Sequence, residues 1–498
     1  MSLPSGHARV ATGTLVGTRA IPVEVQVDVG SGLPSFSIVG LGDTAVLEAR
    51  ERVRSAIRAR GFEFPNARVV VNLAPAPLRK HGTGFDLPIA IGILVATGQI
   101  AAHLIAQSVL VGELSLTGEV CTVPGMLAHA LGARDAGREL ITAQADIGQF
   151  GVVPDLTVRG IRDLRQILTM EHESHPVQLA TRVSRIPIPD LAEVTGHESA
   201  KRALEISAAG GHNLLMVGPP GSGKTMLARR LGPLLPPLDA DERLDAALVH
   251  SVAGLDESDV LAGVRPFRAP HHSASIAGLV GGGVPPRPGE VSLAHTGVLF
   301  LDEMPEFGPS TLQSLRQPME DGSVILIRAE GRICYPARFA LVGAANPCPC
   351  GYDGDPVRRC TCGEAAVTRY RARIGGPLHD RIDIHLRVDR IDPDRLVRGE
   401  VGESTEAVRQ RVLEARQRAF VRDGSVAARL SGGELVSACR LSAGASRTLS
   451  DSARMHQLSG RGVTRLMRVS RTIADLAASD RVDAVHIMQA MSLRQMGA

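Results

Sequence analysis

Apolar residues in the first third of the chain follow two periods, one typical of strands and one typical of helices. Between Gly13 and Leu41, apolar runs such as IPVEVQVDV and FSIVG are separated by glycine and proline, which predicts strands joined by turns. Over residues 43–60, apolar positions recur at helical spacing with arginine on the other face, and they include Val46, Val53 and Ile57. The run ARVVVNLAP then predicts a buried strand.

Further segments complete a first predicted domain. Their patterns predict an apolar helix over residues 87–97, a strand from Ser108 to Leu114 and a strand near Gly151. Together these elements indicate an α+β domain over residues 1–172. Residues 173–189 lose this periodicity and gain proline and polar residues, so we expect a linker there.

The remaining chain divides into two parts. Over residues 190–390, helical and strand patterns alternate, and this order typically builds a parallel sheet covered by helices. Residues 391–498 show only helical periodicity, which predicts a small all-helical domain. The expected fold class is therefore α/β, preceded by the α+β domain and followed by helices.

The composition agrees with several packed domains, since 44 % of the 498 residues are apolar and 21 % are charged. The net charge is only +3, so any nucleic-acid surface must be local. The longest apolar stretch, LPIAIGILVAT, is too short to span a bilayer, and the first residues lack a signal-peptide pattern. We therefore expect a cytoplasmic protein without membrane contact.

Four of the seven cysteines lie close together as two C-x-C pairs with nine residues between them: Cys348, Cys350, Cys360 and Cys362. In a cytosolic chain, such crowding favours a metal site over disulfides. Four thiolates would complete a tetrahedral Zn²⁺ site, but the spacing differs from the commoner C-x-x-C pattern, and unliganded thiols are the alternative. The other three, Cys121, Cys334 and Cys439, are expected to be isolated thiols in the core.

The most specific motif is GPPGSGKT, which follows the apolar run LLMV and precedes the helical pattern MLARRL. In such a loop, backbone N–H groups surround phosphates, the lysine reaches the β- and γ-phosphates, and the threonine hydroxyl binds Mg²⁺. The lysine is one of only three in the chain. ATP and Mg²⁺ are the predicted cofactors, and the predicted ligands are Gly218, Pro219, Pro220, Gly221, Ser222, Gly223, Lys224 and Thr225.

Two further strand ends supply candidate catalytic groups. The apolar strand VLFL ends in Asp302 and Glu303. We predict that Asp302 holds the Mg²⁺ shell and that Glu303 is the general base for a water attacking the γ-phosphate. The strand FALVGAA ends at Asn346, whose amide is expected to orient that water. Developing charge on the γ-phosphate also calls for a cation, and Arg381 and Arg461 are the candidates.

Around these motifs the chain resembles the AAA+ ATPases of the magnesium-chelatase class, and within that class the ComM/YifB-type proteins. The resemblance rests on AAGGHNLLMVGPPGSGKTMLARRL, RPFRAPHHSAS, GEVSLAHTGVLFLDEMPEF, LRQPMEDGSV, YPARFALVGAANPCPCGY, GPLHDRIDIHL and SRTIADL. It implies an AAA+ core with a helical lid, Arg381 as a finger reaching the adjacent subunit's nucleotide, and Arg461 as a lid sensor, with Arg465 as its alternative. A finger that acts on a neighbouring subunit implies a ring, by analogy a hexamer.

The N-terminal domain resembles the Lon-protease (ribosomal S5-like) fold through KHGTGFDLPIAIGIL and VGELSLTGEVCTVPGMLAHALGARDAG. These blocks place Gly84 at the position of the protease's nucleophilic serine and His129 at the position of its lysine. Without a nucleophile and an amine to activate it, acyl transfer has no evident chemistry. We therefore predict a scaffold without proteolytic activity.

Two basic segments are candidates for DNA contacts, because insertions at these places line the central pore of related ring helicases. The first is RPFRAPHH, and the second is a predicted β-hairpin over residues 323–336 that turns at Glu330–Gly331. The candidate residues are Arg265, Arg268, His271, His272, Arg328 and Arg332. A structural role is the alternative, since aromatic residues for base stacking are scarce, at 3 %.

Two functions remain open. The leading hypothesis is a ring-forming ATPase that moves single-stranded or branched DNA, by resemblance in branch migration of recombination intermediates, including those of natural transformation. The alternative is a chelatase-type motor that remodels a protein partner. The ATP motifs are the same in both, while Gly84 and His129 disfavour an ATP-dependent protease.

Overall fold

The computed structural model describes residues 6–169, 189–328, 331–374, 376–398 and 400–494. Two sheets organise these residues, a seven-stranded mixed sheet and a five-stranded parallel sheet. Helices alone follow from residue 405 onward. Almost all of the predicted linker at 173–189 lies outside the described residues, so the predicted domain boundaries stay predictions.

The first sheet has the strand order β3-β4-β2-β1-β5-β8-β9, while β6 and β7 form a separate hairpin. The strands are β1 (Gly6–Val16), β2 (Arg19–Gly30), β3 (Ser35–Val39), β4 (Arg68–Ala74), β5 (Ser108–Leu110), β6 (Glu113–Leu114), β7 (Val120–Cys121), β8 (Glu139–Ala143) and β9 (Val158–Ile161). The helices are α1 (Thr44–Ala59), α2 (Asp86–Ala96) and α3 (Met126–Asp135).

Side-chain alternation along these strands separates two cores. Leu110, Ile141 and Ile161 pack with α1 and α2, whereas their neighbours Val109 and Leu140 pack with α3. The predicted helix over residues 43–60 is confirmed as α1, which begins after Asp43 because that carboxylate accepts a hydrogen bond from the Val46 N–H at 3.0 Å.

The predicted strand near Gly151 is wrong. Gln144–Val152 forms a 3₁₀ helix, and the strand is β9. Pro154 has no N–H to donate to a ladder, and Asp155 turns the chain with a φ of 58°. The valines around residue 152 therefore precede the turn that leads into the strand.

The second sheet has the strand order β11-β14-β17-β10-β18, and all of its neighbouring strands are parallel. The strands of this region are β10 (Leu214–Val217), β11 (Phe267–Arg268), β12 (Gly281–Gly282), β13 (Arg287–Pro288), β14 (Val298–Leu301), β15 (Ser323–Arg328), β16 (Gly331–Pro336), β17 (Ala340–Ala345) and β18 (Ile384–Arg387). The pairs β12–β13 and β15–β16 are antiparallel hairpins outside the sheet.

Helices cover this sheet: α4 (Glu198–Gly210), α5 (Lys224–Arg229), α6 (Leu231–Leu234), α7 (Ala240–Ala253), α8 (Ser258–Leu261), α9 (Ile276–Val280), α10 (Glu290–Leu293), α11 (Pro309–Ser314), α12 (Arg316–Asp321), α13 (Glu364–Ala372), α14 (Gly376–His379) and α15 (Pro393–Val397). The C-terminal helices are α16 (Thr405–Asp423), α17 (Gly432–Cys439), α18 (Ala443–Met455), α19 (Gly460–Leu476) and α20 (Ala484–Ser492). Short 3₁₀ helices lie at Ala102–Leu104, Leu164–Thr169, Leu191–Glu193, Met304–Glu306 and Ala427–Arg429. Among the helices described, none is both long and apolar enough to cross a bilayer.

Apolar contacts join these regions. Residues of α4, α16 and α19 share one core with strands of the parallel sheet. Residues of α3 share another core with α7 and α8, and the Gly125 N–H donates to the Ser251 carbonyl oxygen at 2.8 Å. The N-terminal sheet is thus docked on the helix that precedes β11.

Candidate active site

Three parallel strands bring the predicted site residues to one edge of the second sheet. β10 leads into Gly218, β14 into Asp302 and β17 into Asn346, and β17 lies between the other two. Because parallel strands end at the same edge, these residues meet where α/β sheets commonly bind ligands.

Direct hydrogen bonds connect the three strand ends. Lys224 Nζ donates to Asn346 Oδ1 at 3.3 Å and to the carbonyl oxygen of Gly218 at 2.7 Å. Thr225 Oγ1 donates to Asp302 Oδ2 at 2.7 Å. Burial lowers the pKa of Lys224, while the nearby Asp302 and Glu303 carboxylates act in the opposite direction. A cation, a hydroxyl and carboxylates are therefore assembled within one site.

The loop itself fits a bound phosphate. Gly221 and Gly223 have φ values of 75° and 84°, a left-handed conformation that lets backbone N–H groups converge. The Ser222 hydroxyl is buried and lacks a hydrogen-bond partner in the described part of the chain. Sequence reasoning missed His197, whose ring lies 3.5 Å from the position a Cβ would take at Gly223. The side chains present are those that ATP and Mg²⁺ require.

Glu303 is exposed and sits in a strained backbone conformation, with φ 47° and ψ 44°. Its N–H donates to Asp302 Oδ1 at 2.9 Å, which fixes the turn after β14. His272 Nδ1 lies 3.7 Å from Glu303 Oε2, and the rings of His271 and His272 are 4.0 Å apart. The histidine pair predicted to contact DNA therefore stands beside the predicted general base.

Arg381 lies at the opposite edge of the sheet. The register pairs Leu214 with Ile384 and Val217 with Arg387, so the residues before β18 are separated from the phosphate loop by at least the length of the strand, about 10 Å. The Arg381 guanidinium pairs with Glu320. Arg381 therefore precedes the amino end of β18, whereas the phosphate loop follows the carboxyl end of β10.

The structure separates the two alternatives for the lid arginine. Arg465 is 6 % exposed, and its guanidinium donates to the carbonyl oxygens of His379 and Ile382, each at 3.1 Å. Arg461, one turn earlier on α19, is exposed. Arg465 therefore holds α19 against the segment before β18, and the exposed Arg461 stays the predicted lid sensor.

Comparisons with known proteins match the whole chain. The family model described as magnesium chelatase, subunit ChlI, matches residues 190–396, a second ChlI model matches residues 25–146, and the ChlI C-terminal model matches residues 402–494. The uncharacterized protein YifB of Escherichia coli K12 is 43 % identical over 99 % of this chain and 97 % of its own length. The chain belongs to the magnesium-chelatase ChlI family. Its similarity to the competence protein ComM of Haemophilus influenzae is 40 % identity over 100 % of this chain and 98 % of ComM.

Two other relatives match only part of this ChlI-family chain. The magnesium-chelatase 67 kDa subunit of Heliobacterium mobile is 32 % identical over 33 % of the chain and 29 % of its own length. Lon protease 2 of Bacillus subtilis is 28 % identical over 32 % of the chain and 32 % of its own length. Membership of the ChlI family makes this protein an ATPase related to ComM and YifB.

Two of the arginines predicted to contact DNA in this ChlI-family protein form ion pairs within the chain, and their contact with DNA stays a prediction. Arg265 is 8 % exposed at its side chain, pairs with Glu242 at 2.7 Å, and donates to the Pro236 carbonyl oxygen at 2.6 Å. Arg268 forms a bidentate pair with Glu290, at 2.7 and 2.8 Å. Both guanidinium groups hold segments of the core together. The sequence could not show this because the acidic partners are more than twenty residues away.

The hairpin β15–β16 matches the prediction for residues 323–336, although Glu330 lies outside the described residues. Arg328 and Arg332 are exposed, and so is Arg287 on the neighbouring β13. Arg287 lies opposite Gly282 in the β12–β13 ladder. A Cβ added at Gly282 would lie 3.5 Å from Arg328 Nη2, so the two hairpins are neighbours. Sequence reasoning missed Arg287, since only the packing of the two hairpins makes it a neighbour of Arg328.

The four clustered cysteines meet in space, with all four sulfur atoms within 4.8 Å of one another, so the cluster can hold Zn²⁺. Of the three cysteines predicted to be in the core, only Cys439 is buried. Cys121 and Cys334 are exposed, because each lies on a two-stranded hairpin that leaves one face open.

In the N-terminal sheet, Gly84 offers no nucleophile, and an added Cβ there would meet Val111 at 3.2 Å. His129 is 5 % exposed, and burial lowers its pKa to about 4, so the ring is neutral at physiological pH. Lys80 is fully buried and donates to the Pro75 carbonyl oxygen. These three positions do not form a nucleophile with an activating base.

Proposed function

We propose that this ChlI-family ATPase assembles into a ring, a hexamer as the family resemblance implies, and couples ATP hydrolysis to the movement of branched or single-stranded DNA. The observation that supports DNA as the substrate is the group of exposed arginines on two adjacent hairpins, Arg287, Arg328 and Arg332. The full-length similarity to ComM, a competence protein, supports a role on recombination intermediates such as those of natural transformation.

The hydrolytic chemistry divides among the residues at the carboxyl edge of the sheet. Bound MgATP supplies the triphosphate and a divalent cation that neutralises its charge. Lys224 would bind phosphate oxygens, while Thr225 and Asp302 would hold the cation. Asn346 Oδ1 positions the Lys224 ammonium, and the Asn346 amide is placed to orient water. Glu303, exposed at the end of β14, accepts a proton from that water at its carboxylate.

The two arginines at the opposite edge serve a neighbouring subunit in this proposal. Arg381 and Arg461 lie away from the phosphate loop of their own chain, where neither is placed to meet its γ-phosphate. In a closed ring, each subunit contacts the next one head to tail. Such a contact would place the Arg381 and Arg461 side of one subunit against the nucleotide of its neighbour. Hydrolysis then depends on assembly.

The C-terminal helices and the N-terminal domain have structural roles in this proposal. We infer a helical lid within residues 391–498, where the ChlI C-terminal model matches residues 402–494, and a Lon-like, non-proteolytic N-terminal domain. The contact between Gly125 and Ser251 ties that domain to α7, and Tyr335 donates to the Pro286 carbonyl oxygen at 3.0 Å, which joins the two arginine-bearing hairpins.

Branch migration of four-way junctions and unwinding of forked DNA test the proposal. We expect ATP-dependent conversion by the wild-type protein and none by Lys224→Ala. The double variant Arg328→Ala/Arg332→Ala should bind DNA more weakly, most of all at low salt, and lower the salt slope by about two. Arg454→Ala/Arg481→Ala, which removes two exposed arginines from the helical region, is the matched control.

A wild-type protein that hydrolyses ATP but neither binds nor remodels any of these DNAs at low salt would contradict the proposal. ATP turnover stimulated by a protein partner instead of DNA would favour the alternative, a chelatase-type motor. The partial match to the magnesium-chelatase 67 kDa subunit supports that alternative over only a third of the chain.

A further inference from the structure

The cysteine cluster has nearly the dimensions of a single metal site. The Sγ atoms of Cys348 and Cys350 are 3.4 Å apart, and the Sγ of Cys360 is 3.6 Å from each. With Cys362 included, no two of the four sulfur atoms are more than 4.8 Å apart. Thiolates about 2.3 Å from one Zn²⁺ stand roughly 3.8 Å apart at the corners of a tetrahedron. The distances between the four sulfur atoms are therefore close to those of a site that binds one zinc ion.

The surrounding backbone supports thiolate ligands. The Cys350 N–H donates to Cys362 Sγ and the Cys362 N–H donates to Cys360 Sγ, both at 3.4 Å. Such donors stabilise thiolate charge and orient the sulfur atoms. All four cysteines are free thiols. A polynuclear iron–sulfur cluster spreads its thiolates over several metal atoms, so these short distances between sulfur atoms favour one ion.

The segment that bears the cysteines, residues 347–363, has neither helix nor strand of its own. Its described anchors include hydrogen bonds from Arg387 to the Gly354 carbonyl oxygen and from Arg390 to Asp355, the latter at 2.9 Å. Because a segment without regular structure pays a large entropy cost to stay ordered, ligation by four thiolates would supply much of its stability.

The same segment touches the nucleotide site. Cys348 is fully buried and follows Asn346 by two residues. At Gly351, which has a φ of 87°, an added Cβ would stand 2.6 Å from Cδ of Pro220 in the phosphate loop. The cysteine segment therefore packs directly on the phosphate loop.

We propose that Cys348, Cys350, Cys360 and Cys362 bind one Zn²⁺ and that this ion fixes the segment supporting Asn346 and Pro220. ATP turnover then depends on how this zinc-bound segment packs on the phosphate loop, although the ion contacts no substrate. The second part of this inference rests on the proposed ATPase function, whereas the first part stands without it.

Metal analysis of the full-length protein tests the first part. We expect about one zinc per chain in the wild type and in Cys121→Ser, an exposed thiol outside the cluster, and none in Cys350→Ser/Cys362→Ser. Should the double variant fail to fold, the wild-type content decides alone. Wild-type protein without stoichiometric metal, or with iron in place of zinc, overturns the proposal.

Two glycine substitutions test whether the cysteine segment affects ATP turnover. Gly351→Ala should retain zinc but lower kcat for ATP by roughly 10- to 100-fold, because its Cβ displaces the phosphate loop. Gly363→Ala, where nothing lies within 4 Å of the new Cβ, should keep both properties. Wild-type turnover by a zinc-loaded Gly351→Ala variant would overturn the coupling. Absence of ATPase activity in the wild type would instead contradict the proposed function, and the metal content would still decide the first part.

Discussion

The two sheets of this chain place their polar residues in opposite ways. At the carboxyl edge of the parallel sheet, Thr225 and Glu303 are exposed and Lys224 is half-buried beside them. In the N-terminal sheet, Lys80 and His129 are buried, and Gly84 offers no side chain. Catalysis needs groups that converge and can still be reached by a substrate, and only the parallel sheet provides both. The comparison teaches that polar residues near a sheet form a candidate site only where they converge and remain accessible.

The largest expected effect on ATP turnover comes from comparing one substitution near each sheet. Lys224→Ala is expected to lower ATP turnover by at least about 100-fold, since no other described cation contacts Asn346 and the phosphate loop. His129→Gln, which changes a buried polar residue of α3 beside the N-terminal sheet, should leave turnover within about twofold. Steady-state ATPase assays of both variants make the measurement. A folded His129→Gln protein with strongly reduced turnover would break the comparison.

A smaller effect is expected at His272, which distinguishes a role beside Glu303 from a role on DNA. His272→Ala should lower kcat about tenfold without DNA present and leave KM unchanged, because it removes the group 3.7 Å from the Glu303 carboxylate. His272→Gln should restore part of the loss. Unchanged DNA-free turnover combined with weaker DNA binding would show that the original prediction of a DNA contact was right.

The smallest effect concerns acid stability. Burial lowers the pKa of His129 and of His295 to about 4, whereas unfolded histidine titrates near 6.5. The unfolded state therefore binds more protons between these values, and stability is lost as pH falls through this window. From pH 7.5 to pH 5.5, each such histidine should cost about 1.4 kcal/mol of unfolding free energy. Asp146, whose pKa burial raises to about 6, acts in the opposite direction.

Urea unfolding of the wild type and of His129→Gln at the two pH values measures this contribution. The variant should lose about 1.4 kcal/mol less than the wild type on acidification, and Asp146 affects both proteins alike. An equal loss in the two proteins would show that His129 is not held neutral by its surroundings.

The sequence was most informative where local pattern decides structure. The phosphate loop and the acidic strand end follow directly from motifs whose residues are neighbours in the chain, and α1 follows from its periodicity and its Asp43 cap. The sequence did not reveal which residues that are distant in the chain contact each other. Arg268 finds Glu290, and His272 finds Glu303, only because β11 and β14 are adjacent.

Exposure at hairpins was equally difficult to predict. Cys121 and Cys334 lie in apolar surroundings along the sequence, but their two-stranded ribbons leave one face without cover. The strand near Gly151 failed because Pro154 and Asp155 impose a turn that the apolar pattern does not reveal. The meeting of four cysteines was predicted from their crowding in the sequence, but the close approach of Gly351, in the same segment, to Pro220 needed the fold.

The central claim is that one subunit holds ATP and the next supplies an arginine. Glu303→Gln and Arg381→Ala should each be inactive alone while still binding nucleotide. Mixed in equal amounts, they should regain about a quarter of wild-type turnover, because in a random ring a quarter of the interfaces combine an intact Glu303 with an intact Arg381. A mixture no more active than its two components would contradict a nucleotide site shared between subunits.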